Sequence, residues 1–242
     1  MRQSRVYTAQ PLLPADNIEL EEPASHYLAR VLRLSEGDPL ILFNGDGRDY
    51  SAEISGIRKK RVLVRVLDSK DSANESPLKI NLVQAICRGE RMDYVLQKAT
   101  ELGVFSIQPV NSQRVEVRLD ETRQAKRMLH WQRVVISACE QSGRACVPAV
   151  QTPLSLPEWM ASAGVSPRLV LDPFAQSRLS DLSVTAGSIS ILVGPEGGFT
   201  GEEMAKARAS GVMPVSLGPR VLRTETAGPA AIAVMQAKAG DL

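Results

Sequence analysis

The chain has 242 residues, and its 43% apolar content is enough for well-filled cores, which excludes a disordered or disulfide-stapled protein. Aromatic residues make up only 4%, against a nucleic-acid surface built on many stacking platforms, and with a net charge of +2 any basic surface must come from local clustering. Three cysteines (Cys87, Cys139, Cys146) without zinc-type spacing read as reduced packing thiols, and two distant histidines (His26, His130) leave no histidine-rich metal site. No signal pattern or apolar run of ~20 residues is present, so a cytoplasmic protein with no membrane partner is expected.

In chain order, the first seventy residues read as β-rich. A helix from about Pro23 to Leu34, stopped by Gly37, interrupts them, and His26 is read as a partly buried residue on it. Asp38–Phe43 is a strand followed by two turn dipeptides, Asn44-Gly45 and Asp46-Gly47. Arg61–Leu67 alternates basic and aliphatic residues, as a half-buried strand should. Short strands with glycine turns predict a small barrel or sandwich. Asp68–Pro77 is polar and rich in breakers, which sets the domain boundary there.

Beyond it, strand-like runs at Ile80–Cys87, Val104–Val110, Leu169–Leu171, Ile189–Val193 and Met213–Leu217 alternate with helical patterns. Met92, Val95, Leu96, Ala99 and Leu102 share one helix face that ends at Gly103, and a long helix covers about Glu121 to Gln141. The alternation predicts an α/β domain with a mostly parallel sheet covered on both faces.

Two loops that follow strands carry the strongest functional signal: Gly194-Pro195-Glu196-Gly197-Gly198-Phe199, and Leu217-Gly218-Pro219-Arg220-Val221-Leu222-Arg223-Thr224-Glu225-Thr226-Ala227. Glycine lets backbone approach a ligand closely, and open α/β sheets bind ligands beyond the carboxyl ends of their strands. The first loop leads into a capping box, Thr200-Gly201-Glu202-Glu203, with Phe199 and Met204 placed as its hydrophobic staple. The second leads into a helix expected to start near Thr226, with the Thr226 hydroxyl as cap, which puts Pro229 in the free first turn and leaves Arg223 and Glu225 on the loop. Neither loop is a Walker A or Gly-x-Gly-x-x-Gly sequence, so the ligand is one held by backbone amides and apolar contact, for which an adenosine-containing methyl donor is suitable.

These loops resemble the two signature loops of the RsmE family, the bacterial 16S rRNA (uracil-N3) methyltransferases of the SPOUT class. The segments Gln97–Val104, Glu140–Arg144 and His26–Arg33 agree, so the likeness spans nearly the whole chain. The resemblance implies a PUA-like β-barrel that binds RNA at residues 1–72, and a parallel-sheet methyltransferase domain with a C-terminal trefoil knot at 73–242. It further implies a homodimer, S-adenosylmethionine as cofactor with S-adenosylhomocysteine as product, 16S rRNA of the small ribosomal subunit as partner, and no metal. Position by position, Leu192, Gly194, Glu196, Gly197, Gly198, Leu217, Gly218, Val221, Leu222 and Thr224 would wrap the donor.

Arg223, Thr224 and Glu225 would face the reacting centre. Glu225 and Glu196 are the candidate bases for the uridine N3 proton, and Arg223 the stabiliser of a developing oxyanion. Each acid has a plainer role: Glu225 as a helix N-terminal charge, Glu196 as a ligand of local backbone amides. Candidate RNA contacts are Arg5, Arg30, Arg33, Arg88, Lys98, Arg114 and Arg144, with Arg30 and Arg33 three apart on one helix face. Lys98 has an alternative partner in Glu101, and the basic run Arg58-Lys59-Lys60-Arg61 suits a solvated hairpin turn as well as RNA. A catalytically silent RNA-binding or ribosome-assembly factor of the same fold is the rival, but a pure binder has no need of Arg223-Thr224-Glu225. A nucleotide-dependent enzyme of another kind lacks its phosphate loop here.

Overall fold

A computed structural model describes residues 3–58, 61–114, 121–184 and 187–242. Two compact units emerge, Met1–Glu75 with Cys139–Val147, and Ser76–Ala138 with Pro148–Leu242.

The first unit is built on a five-stranded sheet. Its strands are β1 (Ser4–Tyr7), β2 (Asn17–Glu19), β3 (Pro39–Phe43), β4 (Arg48–Arg58) and β5 (Arg61–Asp71), in the order β1-β3-β4-β5-β2. Only β1 and β3 run parallel. Register shifts at Ser51/Ala52 and Ile54/Gly56 interrupt the long β4–β5 pair, and such bulges bend a ladder and raise its twist. Alternate residues of β5, Val62, Val64 and Val66, are fully buried and join Leu28, Leu40, Leu42 and Ile54 in one core. Asp68–Pro77 is not wholly a linker: β5 continues to Asp71, which pairs with Arg48, because a long hairpin partner gives these polar residues a ladder to complete.

The helix of this unit is shorter than its apolar spacing predicts. α1 (Glu22–His26) passes into a π-turn at Tyr27–Val31, and the end is closed by Leu32 N–H to the Tyr27 carbonyl and Leu34 N–H to the Leu28 carbonyl. The helix stops well before Gly37, and Arg33, at φ 55°, supplies a left-handed residue just after it. Arg33 therefore lies past the helix and shares no face with Arg30. His26 is exposed, not partly buried.

The second unit holds a sheet in which every pairing is parallel. Its strands are β6 (Lys79–Ala85), β7 (Ser106–Asn111), β8 (Ala149–Val150), β9 (Leu154–Ser155), β10 (Arg168–Leu171), β11 (Ser188–Val193) and β12 (Met213–Val215), ordered β12-β10-β11-β6-β7-β8 with β9 also on β7. The helices are α2 (Glu90–Glu101), α3 (Glu121–Ser142), α4 (Leu156–Ala161), α5 (Gly201–Ala209) and α6 (Thr224–Ala239). The end of α3, from Cys139, belongs to the first unit. β6 and β11 are buried along most of their length, with Ile80, Leu82, Ile189, Ile191 and Leu192 fully buried, the pattern of strands covered on both faces. Of the α2 face predicted from spacing, Met92, Val95, Leu96 and Ala99 are buried, while Leu102 is only half-buried, at the C-cap.

Candidate active site

A cavity of about 380 Å³ opens beyond the carboxyl ends of β6, β10, β11 and β12, where parallel sheets place their ligands. One wall is the loop after β11. There Gly198 N–H bonds back to the Pro195 carbonyl at 2.8 Å, and Gly198 adopts φ +66°, where a side chain would be strained. Phe199 folds back so closely that a Cβ on Gly194 would stand 3.2 Å from its ring. Thr200 then caps α5: its hydroxyl accepts from Glu203 N–H at 3.1 Å while the Glu203 carboxylate accepts from Thr200 N–H at 2.8 Å. The predicted capping box is therefore in place, and it fixes the far end of this loop.

The opposite wall is the loop after β12. α6 starts three residues earlier than its proline predicts, with Arg223 rather than Thr226 as N-cap and Thr224 and Glu225 in the first turn. Arg223 has no side-chain cap bond, but its carbonyl accepts from Thr226 and Ala227 N–H, both at 2.9 Å. Pro229 thus falls inside the helix, past the free first turn, and the Glu225 carbonyl loses the partner that residue 229 would have supplied. Glu225 is a helix residue and not a loop residue.

Of the expected cofactor residues, Gly194, Glu196, Gly198, Leu217, Val221, Leu222 and Thr224 line the cavity, together with Arg223 and Glu225. Leu192, Gly197 and Gly218 do not. Leu192 is fully buried in β11, and the alternation of a strand gives the lining position to Val193 instead. The carbonyl of Gly197 is taken by Arg114, whose Nη1 donates to it at 2.6 Å. The residue-by-residue expectations missed Arg91 and the Leu171-Asp172-Pro173 segment, which also line the cavity. The signal for the latter was present: Asp172-Pro173 directly follows a strand, as the two recognised loops do.

Arg91 organises the charges. It lies 2.9 Å from Glu196 Oε1 through Nη1 and 3.8 Å from Glu225 Oε1 through Nε, while Arg223 Nη1 is 4.0 Å from that same Glu225 oxygen. Burial opposes ionisation of Glu196, but hydrogen bonds from its own backbone, from Arg88 N–H at 3.3 Å and from Arg91 outweigh it and hold the carboxyl below its ordinary range. Glu225 differs: its Oε2 is buried and has no hydrogen-bond partner. Behind the wall, burial pushes the Cys87 thiol up to about 12, with the Thr224 hydroxyl opposing the shift, so Cys87 is protonated and a poor nucleophile.

The candidate RNA residues separate into two groups. Arg5 and Arg144 are corrections, since both are buried in the first unit. Arg5 pairs with Asp49 at 2.9 Å and Arg144 with Glu75 at 2.6 Å, because guanidinium groups taken out of water must meet an anion. Lys98 takes its alternative partner, Glu101, at 2.8 Å. Arg30, Arg33, Arg88 and Arg114 are exposed, and Lys59 and Lys60 of the basic run lie outside the described residues. Among the described residues no group of three or more His, Cys, Asp or Glu is placed to hold a metal, and no helix is long and apolar enough to cross a membrane.

Comparison with known proteins gives this geometry its family. Residues 74–236 match the model of an RNA methyltransferase domain, and residues 20–67 that of an RNA methyltransferase PUA domain. The ribosomal RNA small subunit methyltransferase E of Buchnera aphidicola (subspecies Schizaphis graminum) is 34% identical over 98% of this chain and 97% of its own. The Neisseria gonorrhoeae protein of the same name, solved with S-adenosylmethionine bound, is 41% identical, with a TM-score of 0.94 and 99% of each chain covered. A methyltransferase structure from Legionella pneumophila, also with its S-adenosylmethionine, is 41% identical, with a TM-score of 0.97 over the whole of both chains. The chain belongs to the ribosomal RNA small subunit methyltransferase E family, the RsmE group of SPOUT methyltransferases.

Proposed function

We propose that this S-adenosylmethionine-dependent ribosomal RNA methyltransferase acts on N3 of one specific uridine in the decoding region of 16S rRNA, releasing S-adenosylhomocysteine. Glu225 carries the assignment: a carboxylate oxygen, buried and unpartnered on the wall of a cavity between two glycine-bearing loops, is an acceptor awaiting a ligand N–H. The donor lies against backbone of the Gly194–Gly198 loop and the apolar side chains of Leu217, Val221 and Leu222.

The uracil N3 attacks the sulfonium methyl in line. The N3–carbon bond forms as the carbon–sulfur bond breaks, the sulfur takes the electron pair and becomes neutral, and the N3 proton passes to Glu225. Arg223, whose side chain is 80% exposed, is free to reach the uracil oxygen on which charge develops. Glu196, held ionised by Arg91 and backbone N–H groups, is the weaker base and serves to fix its loop. Alignment of the two substrates supplies about 7–11 kcal/mol in well-oriented cases, and a positioned base a further ~10²–10⁴-fold. Exposed Arg30, Arg33 and Arg88 contact RNA phosphates, while Arg114 braces the Gly197 carbonyl.

Residues 1–72 are assigned to holding RNA and 73–242 to methyl transfer, with the trefoil knot near the C-terminus, two chains per enzyme and action in the cytoplasm. The family resemblance supports these assignments. The test is incubation of the protein with S-adenosylmethionine and unmodified small subunits, followed by nucleoside mass spectrometry. Appearance of 3-methyluridine is expected, and methyl groups on another atom or base would contradict the assignment.

A further inference from the structure

Gln84, at the carboxyl end of β6, is fully buried and lies behind the cavity wall without lining it. Its amide nitrogen donates to the Ala85 carbonyl at 3.0 Å and to the Thr224 hydroxyl at 3.2 Å, with Cys87 Sγ at 3.5 Å. The Thr224 hydroxyl in turn donates to the Gly194 carbonyl at 2.6 Å. A hydroxyl has one proton. With that proton on Gly194, Thr224 can only accept from Gln84, and both amide protons of Gln84 are then in use. The amide is thereby fixed with its nitrogen toward Thr224 and its oxygen the other way. That oxygen is buried and unpartnered, and it faces Gly228, where an added Cβ would stand 3.3 Å from it and 3.4 Å from Leu82 Cδ1. The glycine that breaks the helix-forming run of α6 is what lets that helix come close to β6 and bring Thr224 to Gln84.

Gln84 and Thr224 together thus join the ends of β6 and β11 to the first turn of α6. Gly194 begins one loop of the cavity and Thr224 directly follows the other. We propose that Gln84 is a positioning residue of the donor site, which acts through Thr224 to set the spacing of the two loops. This role presupposes S-adenosylmethionine as the ligand of the cavity. Loss of the amide leaves the buried Thr224 hydroxyl with only the weak Cys87 thiol, 3.8 Å away, as a donor and removes the anchor that orients its bond to Gly194, a change of about tenfold or more in an equilibrium that depends on that geometry.

The test is calorimetric titration of the full chain with S-adenosylmethionine, for the wild type, Gln84→Met, Thr224→Val and the double variant, with melting temperatures measured in parallel. Gln84→Met keeps length and volume but cannot donate, and Gln84→Leu repeats the loss with another shape. About tenfold weaker binding is expected for both Gln84 variants irrespective of their melting temperatures, and the double variant should bind no worse than Thr224→Val alone. Wild-type affinity in Gln84→Met, or losses that add in the double variant, would overturn the role. Should the Gln84 variants fail to fold, Thr224→Val cuts the same link from its other end, and unchanged affinity there overturns it equally. A wild-type chain that takes no S-adenosylmethionine sinks the donor assignment, and the role with it. A wild type that binds beside an unaffected Gln84→Met sinks the role alone.

Discussion

Arg5→Met distinguishes an arginine that holds the first unit together from one that holds RNA. The Arg5 side chain is 7% exposed and that of Asp49 11%, with Arg5 Nη2 2.9 Å from Asp49 Oδ1. The same guanidinium donates to the Arg144 carbonyl at 3.2 Å and lies 5.1 Å from the centre of the Phe43 ring. Removing the cation strands a buried carboxylate, which costs about 3–5 kcal/mol. Asp49 keeps a little solvent contact, so the lower end, about 3 kcal/mol, applies. For a unit of this size each kcal/mol lowers melting by about 4–8 °C, so scanning calorimetry should show the first unit's transition falling by more than about 10 °C. Arg5→Met/Asp49→Leu, which replaces both charges by apolar groups, should recover most of the loss. The reasoning is refuted if Arg5→Met melts within about 2 °C of the wild type and instead lowers the salt dependence of RNA affinity by about one unit of slope.

Three further outcomes are expected. Glu225→Gln should slow single-turnover methylation by ~10²–10⁴-fold with donor affinity within a few-fold of wild type, and near-normal rates would remove Glu225 as the base. Arg91→Ala should release the hold on Glu196. Because that carboxyl's folded pKa is lowered, its stabilisation is present above the ordinary carboxylate pKa and lost as pH falls through the lowered value, so the two proteins should differ in urea denaturation at neutral pH and converge in acid. With the Glu196 side chain 32% exposed, the neutral-pH difference is about 1 kcal/mol or less. Cys87, with its thiol pushed up to about 12, should resist iodoacetamide at mildly alkaline pH until the protein is unfolded in urea, as peptide mass mapping can establish.

Local patterns carried most of the fold. Alternation in Arg61–Leu67, the apolar face of Met92–Ala99 and the reciprocal bonds of Thr200 and Glu203 are short-range features, and each is found where its spacing puts it. What was hidden depends on distant partners. Arg5 and Arg144 look like surface cations until Asp49 and Glu75, far away in sequence, are seen beside them. Asp68–Asp71 reads as linker because nothing local announces that β4 is long enough to pair with it. The start of α6 is hidden because a proline reads locally as a first-turn residue, whereas here Pro229 lies inside the helix, next to a glycine packed closely against Gln84 and Leu82. In the site, the two glycine loops are legible as motifs, but Arg91, in the first turn of α2, and Gln84, at the end of β6, carry no motif of their own.

The most direct measurement is mass-spectrometric mapping of 16S rRNA from cells lacking this protein, and from the same cells given back the wild-type or the Glu225→Gln form. The account predicts that one uridine in the decoding region loses its N3 methyl group, regains it with the wild type, and stays unmethylated with Glu225→Gln. An unchanged methylation map in the deleted strain, or restoration by Glu225→Gln as complete as by the wild type, would contradict it.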